Sequence, residues 1–173
     1  EGSIVKGLLI SYASRGALVD MIYDFGGELP WHKREKWARQ IVEGLSNIHE
    51  AGYVQGDFTL SNIVIDDDEN AQIIDINRRG CPVGWEPPEL SKLIESGQRI
   101  AMHISVKTDL FQLGMVLWAL AAECDEPERS RPLVPLGSEF PNYYCQIVDS
   151  CLEAHPQGRK SALQLLAKFP RDA

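Results

Sequence analysis

Residues 52–62 read Gly52-Tyr53-Val54-Gln55-Gly56-Asp57-Phe58-Thr59-Leu60-Ser61-Asn62, and a further acidic position, Ile74-Asp75, follows a short turn-forming stretch. An aspartate and an asparagine with four residues between them bracket a loop and can converge on one point. Asp75, at the end of the next strand-like run, can enter the same point from another side. Phosphoryl transfer needs such a set: a carboxylate to orient and deprotonate a hydroxyl, and oxygen ligands for a Mg²⁺ that bridges phosphates. The same spacing also suits plain structure, with Asp57 and Asn62 capping a turn and Asp75 ending a strand. On the D-x-x-x-x-N spacing alone the structural reading prevails.

Working outward, residues 30–51 form the clearest helix. Trp37, Ile41, Val42, Leu45 and Ile48 fall on one stripe at helical period. Pro30 suits a first turn and Gly52 a stop. Toward the N-terminus, residues 6–12 read as a strand and 17–25 as a short helix. Beyond the loop, two strands are expected over 62–65 and 72–75. Between them Asp66-Asp67-Asp68-Glu69-Asn70 reads as a solvated hairpin turn; the spaced ligands and central glycine of a calcium loop are missing. Residues 78–88, with Gly80, Pro82, Gly84, Pro87 and Pro88, read as irregular. Residues 108–122 are apolar nearly all round, which predicts a buried helix. Residues 125–141 contain Pro127, Pro132, Pro135 and Pro141, spaced too closely for a long helix, so any helix there is expected to be short or missing. Helices over 143–154 and 161–168 close the chain. The expected fold class is mainly α with a small β-hairpin, α+β overall.

The chain has 173 residues, 44% of them hydrophobic, enough for one globular domain without disulfide or metal staples. A net charge of −8 without a basic stripe argues against nucleic acid and anionic membrane as partners. The longest apolar stretch, 113–122, is too short to span a bilayer. The cysteines, Cys81, Cys124, Cys145 and Cys151, form no CxxC pair. They read as free thiols in a reducing compartment, which predicts a cytoplasmic or nuclear location.

The motifs then carry a resemblance. LSNIHEAGYVQGDFTLSNIVI resembles the protein-kinase helix that leads into an H-R-D-L-x-x-x-N loop, and IIDIN stands where D-F-G would. WEPPEL is similar to the A-P-E motif. SVKTDLFQLGMVLWAL is similar to the family's buried central helix, with Asp109 and Gly114 at its marked positions. CLEAHPQGRKSALQLL resembles the closing C-L-x-x-x-P-x-x-R segment. These stretches occur in family order and cover nearly the whole chain.

The resemblance implies a kinase C-lobe in which Asp57 is the catalytic base and Asn62 and Asp75 hold Mg²⁺ beneath ATP. It implies that Asp109 braces the catalytic loop from inside, and that Glu89 and Arg159 form a buried ion pair. GLLISYASRGAL resembles the last N-lobe strand running into the hinge, so backbone groups of Ser11 and Ala13 would meet the adenine and Val64 would floor its pocket. The implied activity is transfer of the ATP γ-phosphate to a protein Ser or Thr hydroxyl, ahead of Tyr.

Departures from the pattern bear on that activity. Gln55 and Gly56 replace the histidine and arginine of H-R-D, Thr59 replaces a lysine usual in Ser/Thr kinases, and Asn77 replaces the glycine of D-F-G. Residues 78–88 contain no Ser, Thr or Tyr, and the arginine that would read a phosphate there is Gly56. Both losses suit a kinase not switched by loop phosphorylation. No G-x-G-x-x-G, no V-A-I-K lysine and no partner glutamate occurs, which predicts that residues 1–173 are the hinge and C-lobe of a longer protein, with the N-lobe as missing partner. Such a lobe alone is expected to be inactive, and to self-associate through apolar surface along residues 8–12. Two other readings stay open. One is a pseudokinase that serves as a binding module. The other is a small-molecule phosphotransferase of the aminoglycoside or choline kinase kind, whose loop also places glycine before the aspartate.

Overall fold

The structure is a computed structural model that describes residues 12–76 and 80–170. The strand expected over residues 6–12 falls almost wholly outside these limits, as do Ser11 and Asn77. Within them the chain is mainly helical with one two-stranded sheet: α1 (Leu18–Phe25), α2 (Trp31–Glu50), β1 (Ile63–Ile65), β2 (Ala71–Ile73), α3 (Pro88–Glu95), α4 (Val106–Ala122), α5 (Asn142–Cys151) and α6 (Ala162–Leu166). Short 3-10 turns occupy Leu60–Asn62, Pro127–Ser130 and Pro156–Gly158.

Helix α4 is the axis of the core. Every residue from Thr108 to Ala121 is buried, so the helix has no solvent face and its apolar surround is used on all sides. It starts before its apolar run because Ser105 caps it. The Ser105 hydroxyl accepts from the Lys107 amide, and the Thr108 hydroxyl accepts from the Ser105 amide at 3.1 Å. Gly114 lets α5 approach: a Cβ there would stand 2.7 Å from Cys151 Cβ. Helix α2 lays Trp37, Ala38, Ile41, Val42 and Leu45 on the same core. Beyond its last residues, Gly52 turns the chain out at φ 82°, a conformation that favours glycine.

The hairpin is antiparallel, with Ile63 opposite Ile73 and Ile65 opposite Ala71. Its acidic turn is closed from within: the Asp66 carboxylate accepts from the amides of Asp68 at 3.0 Å and Asn70 at 2.8 Å. Glu69 pairs with Arg15 at 2.9 Å and Lys33 at 2.8 Å, and its carbonyl accepts from Trp37 Nε1 at 3.0 Å. The Lys33 hydrogen bond holds the Glu69 carboxyl below the usual carboxylate range. The turn is thereby pinned to α2, which aims the hairpin across the core.

Helix α3 has no counterpart in the sequence expectation, which passed from irregular structure at 88 to the helix at 108. Pro88 is its first residue, where a missing N–H costs nothing, so the proline pair starts a helix rather than ending order. Between α4 and α5 the only helical structure is the four-residue turn Pro127–Ser130.

Candidate active site

The loop between α2 and β1 is held by buried polar groups rather than by its own regular structure. Asp109 of α4, fully buried, accepts from the backbone amides of Gln55 at 2.8 Å and Gly56 at 2.9 Å. His49 Nε2 lies 2.9 Å from the same carboxylate. One turn further along α4, Gln112 Oε1 accepts from the Phe58 amide at 3.0 Å. Two side chains of the apolar central helix therefore fix the backbone on either side of Asp57. Gly56 sits at φ 87°, where any other residue would be strained.

Gln55 does the next part. Its side chain is fully buried, its Oε1 accepts from the Asp57 amide at 2.7 Å, and its Nε2 donates to the Ile74 carbonyl at 3.1 Å. One amide thus ties the residue bearing the first carboxylate to the residue preceding Asp75. Asn62 closes the circuit: its Nδ2 donates to the Asp57 carbonyl at 2.6 Å, and its own carbonyl accepts from the Ile74 amide at 2.9 Å. Asp57, Asn62 and the strand end carrying Asp75 are gathered by these bonds. Asp75 stands at φ 53°, a left-handed conformation whose cost the surroundings must sustain.

Because Gln55 bridges two otherwise buried backbone groups, Gln55→Ala should lower stability by about 1–3 kcal/mol. Urea unfolding of the two forms checks this. A midpoint that does not move would show that the amide's bonds are dispensable.

The Asp57 carboxylate has an unusual setting. Its Oδ1 is buried and has no hydrogen-bond donor among the described residues. The segment after β2 returns across it: the Gly80 amide donates to the Gly56 carbonyl at 3.0 Å, and a Cβ at Gly80 would lie 3.3 Å from Asp57 Cγ. Next in the chain, Cys81 Sγ accepts from Gln112 Nε2 at 3.4 Å. Burial, then the Glu86 and Asp57 carboxylates, push the Cys81 thiol up to about 12, so it stays a neutral thiol beside the acid. Thr59, the residue standing where a lysine would be family-like, is buried.

Beyond the hairpin, Tyr12, Ala13, Val64, Asp66, Gln72 and Ile74 line a groove of about 320 Å³. It brings together Ala13 and Val64 and runs to the residue before Asp75. Tyr12 at its edge is 84% exposed. A larger cavity, about 560 Å³ between Trp31, Trp118 and Phe140, contains neither Asp57, Asn62 nor Asp75.

Glu89 and Arg159 meet away from the loop. The guanidinium is buried and bidentate, Nη1 at 2.7 Å and Nη2 at 2.8 Å from the two carboxylate oxygens. It also donates to the carbonyls of Lys107, Glu153 and Ala154 and lies 5.0 Å from the Phe111 ring centroid. Gln55 and Gln112 carry comparable weight, and sequence reading gave neither a positioning role. For Gln112 a signal existed: an uncharged polar residue in the middle of a helix apolar all round needs buried partners.

Comparison with known proteins places residues 6–169 in the family described as protein tyrosine and serine/threonine kinase. Among curated relatives, mitogen-activated protein kinase kinase kinase 17 of Arabidopsis thaliana is 26% identical over 96% of this chain and 50% of its own length. "Probable serine/threonine-protein kinase PBL4" of the same plant is 28% identical over 69% of this chain and 31% of its own. Receptor-like protein kinase HSL1, also from Arabidopsis thaliana, is 28% identical over 83% and 15%. The chain therefore spans half or less of the length of these relatives. Among the described residues, no helix is long and apolar enough to cross a membrane.

Proposed function

The chain belongs to the protein tyrosine and serine/threonine kinase family, and on that footing we propose that the whole protein transfers the terminal phosphate of ATP to a serine or threonine hydroxyl of a protein substrate. Residues 1–173 supply the floor of that site, and an N-lobe supplies its roof. The observation that carries this reading is the Asp57 carboxylate, whose Oδ1 is buried without a donor among the described residues. An unsatisfied buried acceptor is costly in a protein that has no use for it, and a substrate hydroxyl is the donor it lacks. Asp57 accepts that hydroxyl's proton as the oxygen attacks.

Asn62 turns its amide nitrogen to the Asp57 carbonyl, which leaves the amide oxygen as an acceptor; with the Asp75 carboxylate it offers the hard oxygen donors that suit Mg²⁺. When bound, that ion neutralises charge on the phosphates. The groove over Val64 suits the adenine, with Ala13 in its lining. The serine/threonine assignment leans on relatives whose names state that specificity.

A specific observation favours a second reading, a pseudokinase. Gly80 lies so close over Asp57 that a Cβ there would be in tight contact with its carboxylate, and the buried Thr59 stands where the family's lysine would supply a cation. Full-length protein incubated with labelled Mg²⁺-ATP and serine, threonine and tyrosine peptides separates the two. Label on serine or threonine is the expected result. No label on any peptide supports the binding module, and label on tyrosine alone overturns the assignment of specificity.

A further inference from the structure

The segment 80–88 has no residue to phosphorylate, yet its backbone is held in place. Arg131, on the connection after α4, reaches back to it. Nη1 donates to the Gly84 carbonyl at 2.6 Å and to the Glu86 carbonyl at 2.9 Å. The Glu86 carboxylate lies 3.8 Å from the same nitrogen and accepts from the Gly84 amide at 2.6 Å, closing the loop on itself. The guanidinium rests 5.5 Å from the Phe111 ring centroid, so Phe111 packs against both Arg131 and Arg159. Gly84, at φ 90°, is pressed against the Pro127–Ser130 turn: a Cβ there would lie 2.6 Å from Glu128 Cβ. Trp85 beside it is buried.

We infer that Arg131 is a positioning residue, a permanent clasp that holds residues 84–86 and so sets the wall beside Asp57 against which a peptide docks. This rests on the kinase reading above and names how its substrate ledge is fixed. A phosphate on an activation loop orders the segment through new charge-assisted bonds to arginine. Here a built-in arginine makes bonds of that strength to backbone carbonyls, and a built-in carboxylate, Glu86, takes the place of the added charge. The clasp acts at a different point from the Glu89–Arg159 pair, which anchors α3. It explains how a segment without hydroxyls, next to a loop whose arginine is replaced by Gly56, can still be ordered. Gly80 at one end meets Asp57 and Gly84 at the other meets Arg131, so a shift at the clasp is passed along five residues to the carboxylate.

The test uses full-length protein with Arg131→Ala, Arg131→Lys and, as control, Arg129→Ala, whose side chain is 75% exposed on the same turn. Hydrogen exchange at the Gly84 and Trp85 amides should rise at least about tenfold in Arg131→Ala and stay unchanged in the control. Peptide KM should rise about tenfold with ATP KM unchanged, and Arg131→Lys, which keeps a donor for both carbonyls, should recover most of both. Unchanged exchange at Gly84 and Trp85 in an active enzyme overturns the clasp and leaves the kinase reading standing. Peptide and ATP KM moving together overturns the positioning role. A wild-type protein without turnover whose amides still respond to Arg131→Ala overturns the substrate half of the inference with the kinase reading, while the clasp itself holds.

Discussion

Arg159→Ala should destabilise the lobe by about 3–5 kcal/mol, the range for removing one partner of a buried ion pair. The guanidinium is 1% exposed and gives every one of its nitrogens to an acceptor: Glu89 twice, and the carbonyls of Lys107, Glu153 and Ala154. Truncation strands the Glu89 carboxylate and leaves those carbonyls short of a donor at once. Water partly relieves Glu89, whose side chain is 28% exposed, which moves the expectation toward the lower end of the range. For a domain of this size the loss corresponds to a fall in Tm of about 6–20 °C. Thermal unfolding reads it directly; a Tm within a degree or two of the wild type would show that the network stabilises nothing.

Asp57→Asn has the opposite profile. It should cost about 10²–10⁴-fold in turnover, the usual contribution of a positioned general base, with Tm unchanged or slightly raised. The amide is isosteric, and the backbone bonds to Gln55 and Asn62 that place residue 57 do not involve its side chain. The carboxylate oxygen it replaces is buried without a donor among the described residues, so folding loses little by the exchange. Equal losses of turnover and stability would mean that Asp57 is a structural aspartate, and the base would have to be sought elsewhere.

The fold was legible where side chains repeat with the period of the element they form. Trp37, Ile41 and Leu45 announce α2, and the apolar run after Thr108 announces α4. The start of α4 was not, because its capping box uses Thr108 where a glutamate or glutamine is the usual signal. Helix α3 was missed because Pro87-Pro88 reads as a breaker, whereas proline at the first helical position is favourable. The strand expected over 72–75 stops at Ile73: the Ile74 amide still donates to the Asn62 carbonyl across the hairpin, but the Ile74 carbonyl accepts from Gln55 and the Asn62 amide turns to Thr59, so the pair lacks its second ladder bond.

The candidate site was legible as a set of residue types but not as a mechanism of placement. Gln55 and Gly56 look like losses when set beside H-R-D. In the structure Gln55 bridges Asp57 to Ile74, and Gly56 takes a left-handed turn that only glycine makes freely. Long-range partners such as Gln112 and Arg131 leave no local periodicity, since the groups they satisfy lie dozens of residues away in the chain.

The central claim is that Asp57, Asn62 and Asp75 form one metal-assisted phosphoryl-transfer site. Calorimetric titration of full-length protein with ATP, with and without Mg²⁺, tests it most directly when Asp75→Asn is titrated alongside. The account predicts that Mg²⁺ tightens ATP binding to the wild type by about tenfold or more and has little effect on the variant. Equal affinity for ATP in wild type and variant, with or without the ion, would contradict it.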